Sequence, residues 1–349
     1  MNPVKKPRVH FHELEPRAVM LTMAGVLIAI FMGALDSTIV ATALPAIAHS
    51  FGGLGTYSGV ITAYLIASTV ALPIGGRLSD VYGRKRFLII GMAWFVVASL
   101  LCGLAASMVQ LILFRALKGL GAGVMQAAAN TTIADLFPPA RRGRAIGLLT
   151  TISVMANVAG PLLGGYLTDG PGWRYIFFIN IPVGLVGCGV ILRYFPRVHR
   201  ADIKDFRIDY WGALLLVAGV VPLLLALHDI GDGGRWLEPE ILGLLVAGAV
   251  LSGAFLAAER RASHPIVPLQ IFRDPIIAIG LLNTGLTIAV AFGLTVFTPL
   301  FLQSVLHASA AASGEILLPI SLTFGLTATA SAVLVGRIGR YRSVALAGT

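Results

Sequence analysis

Charge is scarce in this sequence: 12% of the 349 residues are Asp, Glu, Lys or Arg, against roughly 25% in an average soluble domain. With 57% of residues apolar, the hydrophobic surface is too large to hide in one water-soluble core, and lipid must cover most of it. Cysteine is nearly absent. Cys102 and Cys188 fall inside separate apolar runs, where a thiol behaves as a small hydrophobe, so no disulfide is expected. Also missing are a metal-ligand spacing of Cys and His, a phosphate-binding loop and a serine in a nucleophile elbow. These absences argue against an enzyme, a bound metal or an organic cofactor. The net charge is +10, yet the basic residues form no patch with interleaved aromatics, which argues against nucleic acid. They sit instead in short clusters between long apolar runs, as at a membrane surface.

Those runs dominate the chain. A spanning helix needs about 20 apolar residues, since each adds about 1.5 Å against a hydrocarbon core of about 30 Å. Ten stretches qualify: Met20 to Ile47, Tyr57 to Leu78, Phe87 to Ser107, Met108 to Ile133, Ala145 to Leu167, Tyr175 to Tyr194, Tyr210 to Leu227, Ile241 to Ala258, Pro275 to Leu302 and Ile316 to Val335. The fold class expected is an all-α polytopic membrane protein. The first run is about twice the roughly 7 to 15 residues of a signal-peptide core, so it reads as a retained helix after a basic tail. Short cytoplasmic loops are enriched in Lys and Arg. With the N-terminus placed inside, only Arg174 and Arg235 of the 26 Lys and Arg residues fall in outside turns. Arg115 and Lys118 lie within the fourth run, and the rest belong to the tail and the inside turns.

The longest polar connection, Arg193 to Asp209, follows the sixth run and marks a domain boundary. The organisation expected is a cytoplasmic tail (1–19), a six-helix bundle (20–194), a linker with two further spans (195–274) and a partial second bundle (275–349). The turn after the second run, GRLSDVYGRKR, has a shorter echo, GRIGRYR, after the tenth. Duplicated transporter halves leave such weak internal similarity.

Few residues in the runs carry chemistry. Asp36 lies well inside the first run, where a carboxylate costs about 2.5 to 3.5 kcal/mol on insertion scales. Arg115 and Lys118, three apart on one helical face, are the other charges deep in a run. Either Arg115 merely neutralises Asp36 while Lys118 snorkels to an interface, or Asp36 titrates and proton binding alternates with substrate binding. The second is the reading adopted here, and Lys118 is a further candidate for contact with a charged substrate. Asp80 and Arg84 stand four apart around Gly83 at the ends of two helices, where charges pair with each other and with helix termini. Lys85 and Arg86 read as ordinary positive-inside residues. In the fifth run Pro161 removes a backbone donor, while Gly160, Gly164 and Gly165 permit close helix approach or a hinge.

Taken in order, these blocks resemble the major facilitator superfamily, in particular its drug:proton antiporter branch with fourteen spanning helices. Leu35 to Val40 with Leu44 and Pro45 is similar to the first-helix signature of that branch. Gly76, Leu78, Asp80, Gly83, Arg84 and Lys85 match the loop between helices two and three. Arg115 with Gly119, Gly121 and Gly123 resembles the fourth-helix motif tied to proton coupling, and Gly160, Pro161, Gly164 and Gly165 resemble the fifth-helix antiporter motif. Trp173 to Gly184 is similar to the start of the sixth helix. Two positions depart: Lys118 stands where glutamine is usual, and Ala156 where glycine often opens the fifth-helix motif.

The resemblance implies a transporter fold with ten of fourteen helices, truncated at the C-terminus, in the inner cell membrane. It further implies proton-driven export of small lipophilic or drug-like molecules by alternating access. Asp36 and Arg115 would couple the proton, Gly76, Asp80, Gly83 and Arg84 would gate the cytoplasmic side, and the Gly160–Pro161 region would bend. The implied partners are substrate, protons, lipid and a periplasmic adaptor of a tripartite pump; the energy source is a proton gradient. Two alternatives stay open: an importer or facilitator of an anionic metabolite, suggested by Lys118, and a polytopic membrane protein that transports nothing.

Overall fold

The computed structural model describes residues 16–52, 57–137, 139–196, 209–231, 233–262, 265–267 and 269–319, with 322, 323, 327 and 330. The expectations for most of the tail, most of the Arg193 to Asp209 connection, the end of the tenth run and the GRIGRYR echo lie outside the described residues. All regular structure among the described residues is helical. In chain order it comprises α1 (Pro16–Ser50), α2 (Tyr57–Tyr82), α3 (Arg84–Gly103), α4 (Met108–Leu136), α5 (Pro139–Asp169), α6 (Tyr175–Phe178), α7 (Asn180–Tyr194), α8 (Tyr210–Gly231), α9 (Pro239–Arg261) and α10 (Pro275–Ser304). A further helix runs over residues 310–319.

Nine helices of the described residues are long and apolar enough to cross a membrane, with α6 and α7 together forming one of them. They coincide with the first nine runs read from the sequence, and the differences lie at their ends. The first helix starts at Pro16 rather than Met20 and takes in Arg17. Likewise α5 starts at Pro139 rather than Ala145. Near the tenth run, helix is present from residue 310, ahead of Ile316. Hydropathy marks the segment that crosses lipid, whereas helical hydrogen bonding continues past it into the polar interface.

Lipid is as apolar as a leucine side chain, so burial from water does not drive these helices together; close backbone approach does. α4 shows how. At Gly119 an added Cβ would stand 2.9 Å from the Ala67 Cβ of α2, at Gly123 it would stand 3.0 Å from Leu72 N of α2, and at Gly121 it would stand 2.9 Å from Phe95 N of α3. Thus α4 presses against α2 on one face and α3 on another, and these are the two most extensive helix contacts among the described residues. α1 packs on α5, α7 and α4, while α8 and α9 pair with each other and reach the bundle through α2. Outward-facing Val97, Leu100, Leu113, Leu185 and Val186 are exposed, as side chains in contact with lipid would be.

Among the described residues, α10 and the helix that follows it meet the bundle near Thr42 and Pro161. Gln303 Nε2 donates to Thr42 O at 2.9 Å, and Leu300 packs on an apolar cluster built around Ile39, Leu44 and Val60. At the opposite end of α10, Ile276, Ile279, Leu282 and Leu286 are exposed.

Candidate functional site

Two apolar clusters fill the bundle, one around Met92, Phe95 and Met125, the other around Ile39, Leu111 and Phe177. Between them three charges are packed together. Asp36 on α1 accepts from Arg115 Nη1 through Oδ2 at 2.6 Å and from Lys118 Nζ through Oδ1 at 2.5 Å. Asp36 and Lys118 are 0% exposed and Arg115 is 1% exposed. The expectation that Arg115 and Lys118 share a face is met, and both turn that face to Asp36. The alternative in which Lys118 snorkels to an interface is corrected: the glycines of α4 draw Lys118 inward, where its counter-charge lies.

The surroundings complete the site. Arg115 Nε donates to Val60 O at 3.3 Å, and its guanidinium lies 4.2 Å from the Tyr64 ring centroid. The Lys118 ammonium faces the Phe95 ring at 4.6 Å and the Phe177 ring at 5.1 Å, so aromatic faces replace water around the cation. Val60, Tyr64, Phe95 and Phe177 are partners that sequence reasoning missed, because apolar and aromatic residues in a spanning helix look alike whether they face a charge, a neighbour or lipid.

The α2–α3 turn forms a second cluster. Gly83 has φ +104°, a conformation open to glycine at no steric cost, and it reverses the chain so that α3 begins at once. Arg84 then pairs with Asp80, donates from Nη1 to Ser79 Oγ at 2.9 Å and reaches Asp135 at 3.0 Å. The structure therefore brings Asp80, Gly83 and Arg84 together, adds Asp135 at the end of α4, and joins Gly76 through its carbonyl, which accepts from Ser79 Oγ at 2.8 Å. Lys85, read as an ordinary loop charge, donates to Leu192 O and Phe195 O at 2.9 and 2.7 Å. It caps the C-terminal turn of α7, which favours a cation there.

The α5 motif serves two surfaces at once. A Cβ at Gly160 would stand 2.8 Å from Thr38 Cβ, and one at Gly164 2.6 Å from Ile39 O, so both glycines seat α5 on α1. Thr38 Oγ1 also reaches the Ala156 carbonyl at 3.4 Å. On the other side, a Cβ at Gly165 would stand 2.6 Å from Ala311 Cα, and one at Gly314 2.8 Å from the Pro161 carbonyl carbon. Asp169, one turn on, accepts from the backbone N–H groups of Ala310 and Ala311 at 3.3 and 2.8 Å, and Tyr166 donates to Glu315 at 2.8 Å. Asp169, Tyr166 and Glu315 carried no signal in the sequence, because a polar residue at a helix end is also an ordinary solvated one. α5 itself runs unbroken through Pro161.

Among the described residues no group of His, Cys, Asp or Glu is placed to hold a metal ion.

Comparison with known proteins adds a family and a fold. The family described as Major Facilitator Superfamily matches residues 26–349. Multidrug resistance protein 3 of Bacillus subtilis is 39% identical over 303 residues, covering 85% of this chain and 58% of that protein. Multidrug transporter protein MdtP of the same organism is 36% identical, covering 91% of this chain and 59% of its own length. The chain thus spans less than two thirds of these curated relatives. Among solved structures, the human organic anion transporter MFSD10 superposes with a TM-score of 0.60 at 16% identity, covering 91% of this chain and 73% of that one. The xylose transporter XylE of E. coli superposes at 0.58 and 12% identity, covering 92% and 74%. Identities this low carry the fold alone.

Proposed function

The chain belongs to the Major Facilitator Superfamily, and from that premise we propose that it is a proton-coupled exporter of small lipophilic molecules, with Asp36, Arg115 and Lys118 as the coupling centre. The observation that carries the reading is the buried triad itself. Three charges withdrawn from water are costly even when paired, and a buried ion pair is often less stabilising than apolar residues of the same volume. A transporter retains such a group because its charge state matters when water reaches it. Multidrug names among the relatives support the substrate class.

The apposition of α5 and α1 with the helices after Pro275, at the Ser50 and Asp169 end, supports alternating access. With the N-terminus inside, this end faces out, and its apposition is proposed as the outward closure of the cycle. The cluster of Asp80, Gly83, Arg84 and Asp135 lies at the inward end within one bundle and is proposed to stiffen that side. Gly160, Pro161, Gly164 and Gly165 are proposed as the bearing on which α5 shifts. The setting proposed is the cell membrane with the N-terminus in the cytoplasm, and the partners are substrate, protons and lipid. A periplasmic adaptor has no support among the described residues. The importer reading needs Lys118 to meet a substrate anion, and here its ammonium is spent on Asp36 and shut off from solvent.

The test is efflux of a fluorescent lipophilic cation such as ethidium from cells expressing the chain, before and after the proton gradient is collapsed. Gradient-dependent efflux that is lost in Asp36→Asn is the expected result. Efflux in that variant as proton-driven as in the parent would remove Asp36 from the mechanism.

A further inference from the structure

Each carboxylate oxygen of Asp36 accepts from a cation, one from Arg115 and one from Lys118. A proton arriving on a remaining lone pair of Asp36 would cancel the negative charge that holds both cations. It would also leave two positive charges against a neutral acid in a site shut off from water. The opposite move meets neither obstacle. Arginine does not give up its proton in proteins, whereas lysine changes charge readily when buried. If Lys118 loses a proton, the triad passes from one net positive charge to none, and the amine still has N–H groups to donate to Asp36.

The hydrogen bonding around the ammonium points the same way. It has three donors, yet Asp36 is its one hydrogen-bond acceptor among the described residues, and the Phe95 and Phe177 rings occupy other sides. The titratable and charged groups facing it are Asp36 from α1, Cys102 from α3 and Arg115 from α4, with Tyr64 of α2 lying against Arg115. Asp36 is the one carboxylate in that set. Two buried polar atoms lie open on the helix faces that carry those rings: Ser99 Oγ, four residues from Phe95, and Asn180 Oδ1, three from Phe177.

Resting on the triad as the coupling centre, we infer that the exchanged proton is carried by Lys118, while Asp36 stays ionised and serves as its fixed counter-charge. The coupling step is –NH3⁺ giving –NH2 and a proton to water on one side of the membrane, with the reverse on the other. Lysine at this position, where the resemblance leads one to expect glutamine, thus supplies a proton carrier of a different chemical kind.

The test is NMR of the full chain in detergent, carrying 15N in its lysine side chains and 13C in its aspartate carboxyls, followed across the pH range in which efflux is measured. The chain has five lysines, Lys5, Lys6, Lys85, Lys118 and Lys204, and the Lys118 signal is the one absent from both Lys118→Gln and Lys118→Arg. The expected result is conversion of the Lys118 signal from ammonium to amine while the Asp36 carboxyl, identified by its loss in Asp36→Asn, stays ionised. Protonation of Asp36 beside an unchanged ammonium would overturn the inference, and so would a triad whose signals stay fixed throughout. In cells, a folded Lys118→Arg protein is expected to lose proton-driven efflux, because its charge cannot be shed; retained efflux would equally overturn it. Failure of the Asp36→Asn efflux test, by contrast, strikes the transport reading and leaves the NMR result to stand by itself.

Discussion

Lys118 Nζ lies 2.5 Å from Asp36 Oδ1, with both side chains wholly withdrawn from solvent. The two residues are 82 positions apart in the chain, so this contact ties α1 to α4 at the centre of the bundle.

Removing the anion strands two cations. Asp36→Asn is expected to destabilise the purified chain by about 3 to 5 kcal/mol, the usual cost of breaking a buried pair on one side. Adding Lys118→Gln to Asp36→Asn should recover much of that loss, because one stranded cation goes with it. Thermal unfolding in detergent of the parent, both single variants and the double variant measures the coupling.

The approach of α4 to α2 has no room for a side chain at Gly119. Gly119→Ala should cost about 1 to 3 kcal/mol through overpacking and tilt Tyr64 away from Arg115. Gly147, with nothing within 4 Å of an added Cβ, is the control, and Gly147→Ala should leave the unfolding temperature near that of the parent. Equal losses in the two variants would contradict the packing argument.

At the α2–α3 turn the backbone of Gly83 sits in the left-handed region. Gly83→Ala is expected to cost about 1 to 2 kcal/mol and to loosen Arg84 from Asp80 and Asp135. Faster proteolysis at this turn in membranes, with the rest of the chain protected, would report it.

How much of this was legible beforehand differs from one element to another. The first nine spans are visible because hydrocarbon thickness sets a length that apolar runs must meet. Asp36, Arg115 and Lys118 stand out because a charge in such a run is expensive. Their mutual contact was half legible: the shared face of Arg115 and Lys118 follows from helical spacing, but nothing in the sequence says that this face meets α1. Asp135 and the capping role of Lys85 were hidden, since both depend on which helix ends the fold brings together. The contact of Asp169 with residues 310 and 311 was hidden for the same reason.

That contact, placed on the outer side by the proposed orientation, is also open to test. Asp169→Ala removes the acceptor for two N–H groups at the start of the helix at Ala310, a position where a carboxylate is favoured. With Ala310→Cys as reporter, a membrane-impermeant maleimide should label the Asp169→Ala chain several-fold faster from the outside than the chain with Asp169 intact. Equal rates would show that Asp169 does not hold this end shut.

The glycines of α4 have a mechanical corollary. Because that helix is gripped by α2 at Gly119 and Gly123 and by α3 at Gly121, it has no freedom to rotate or piston alone. Arg115 and Lys118 must travel as cargo on a three-helix slab. Parting of α1 from the slab would bring water to Asp36, and the smooth track of Gly160 and Gly164 along Thr38 and Thr42 is where such a slip meets least resistance.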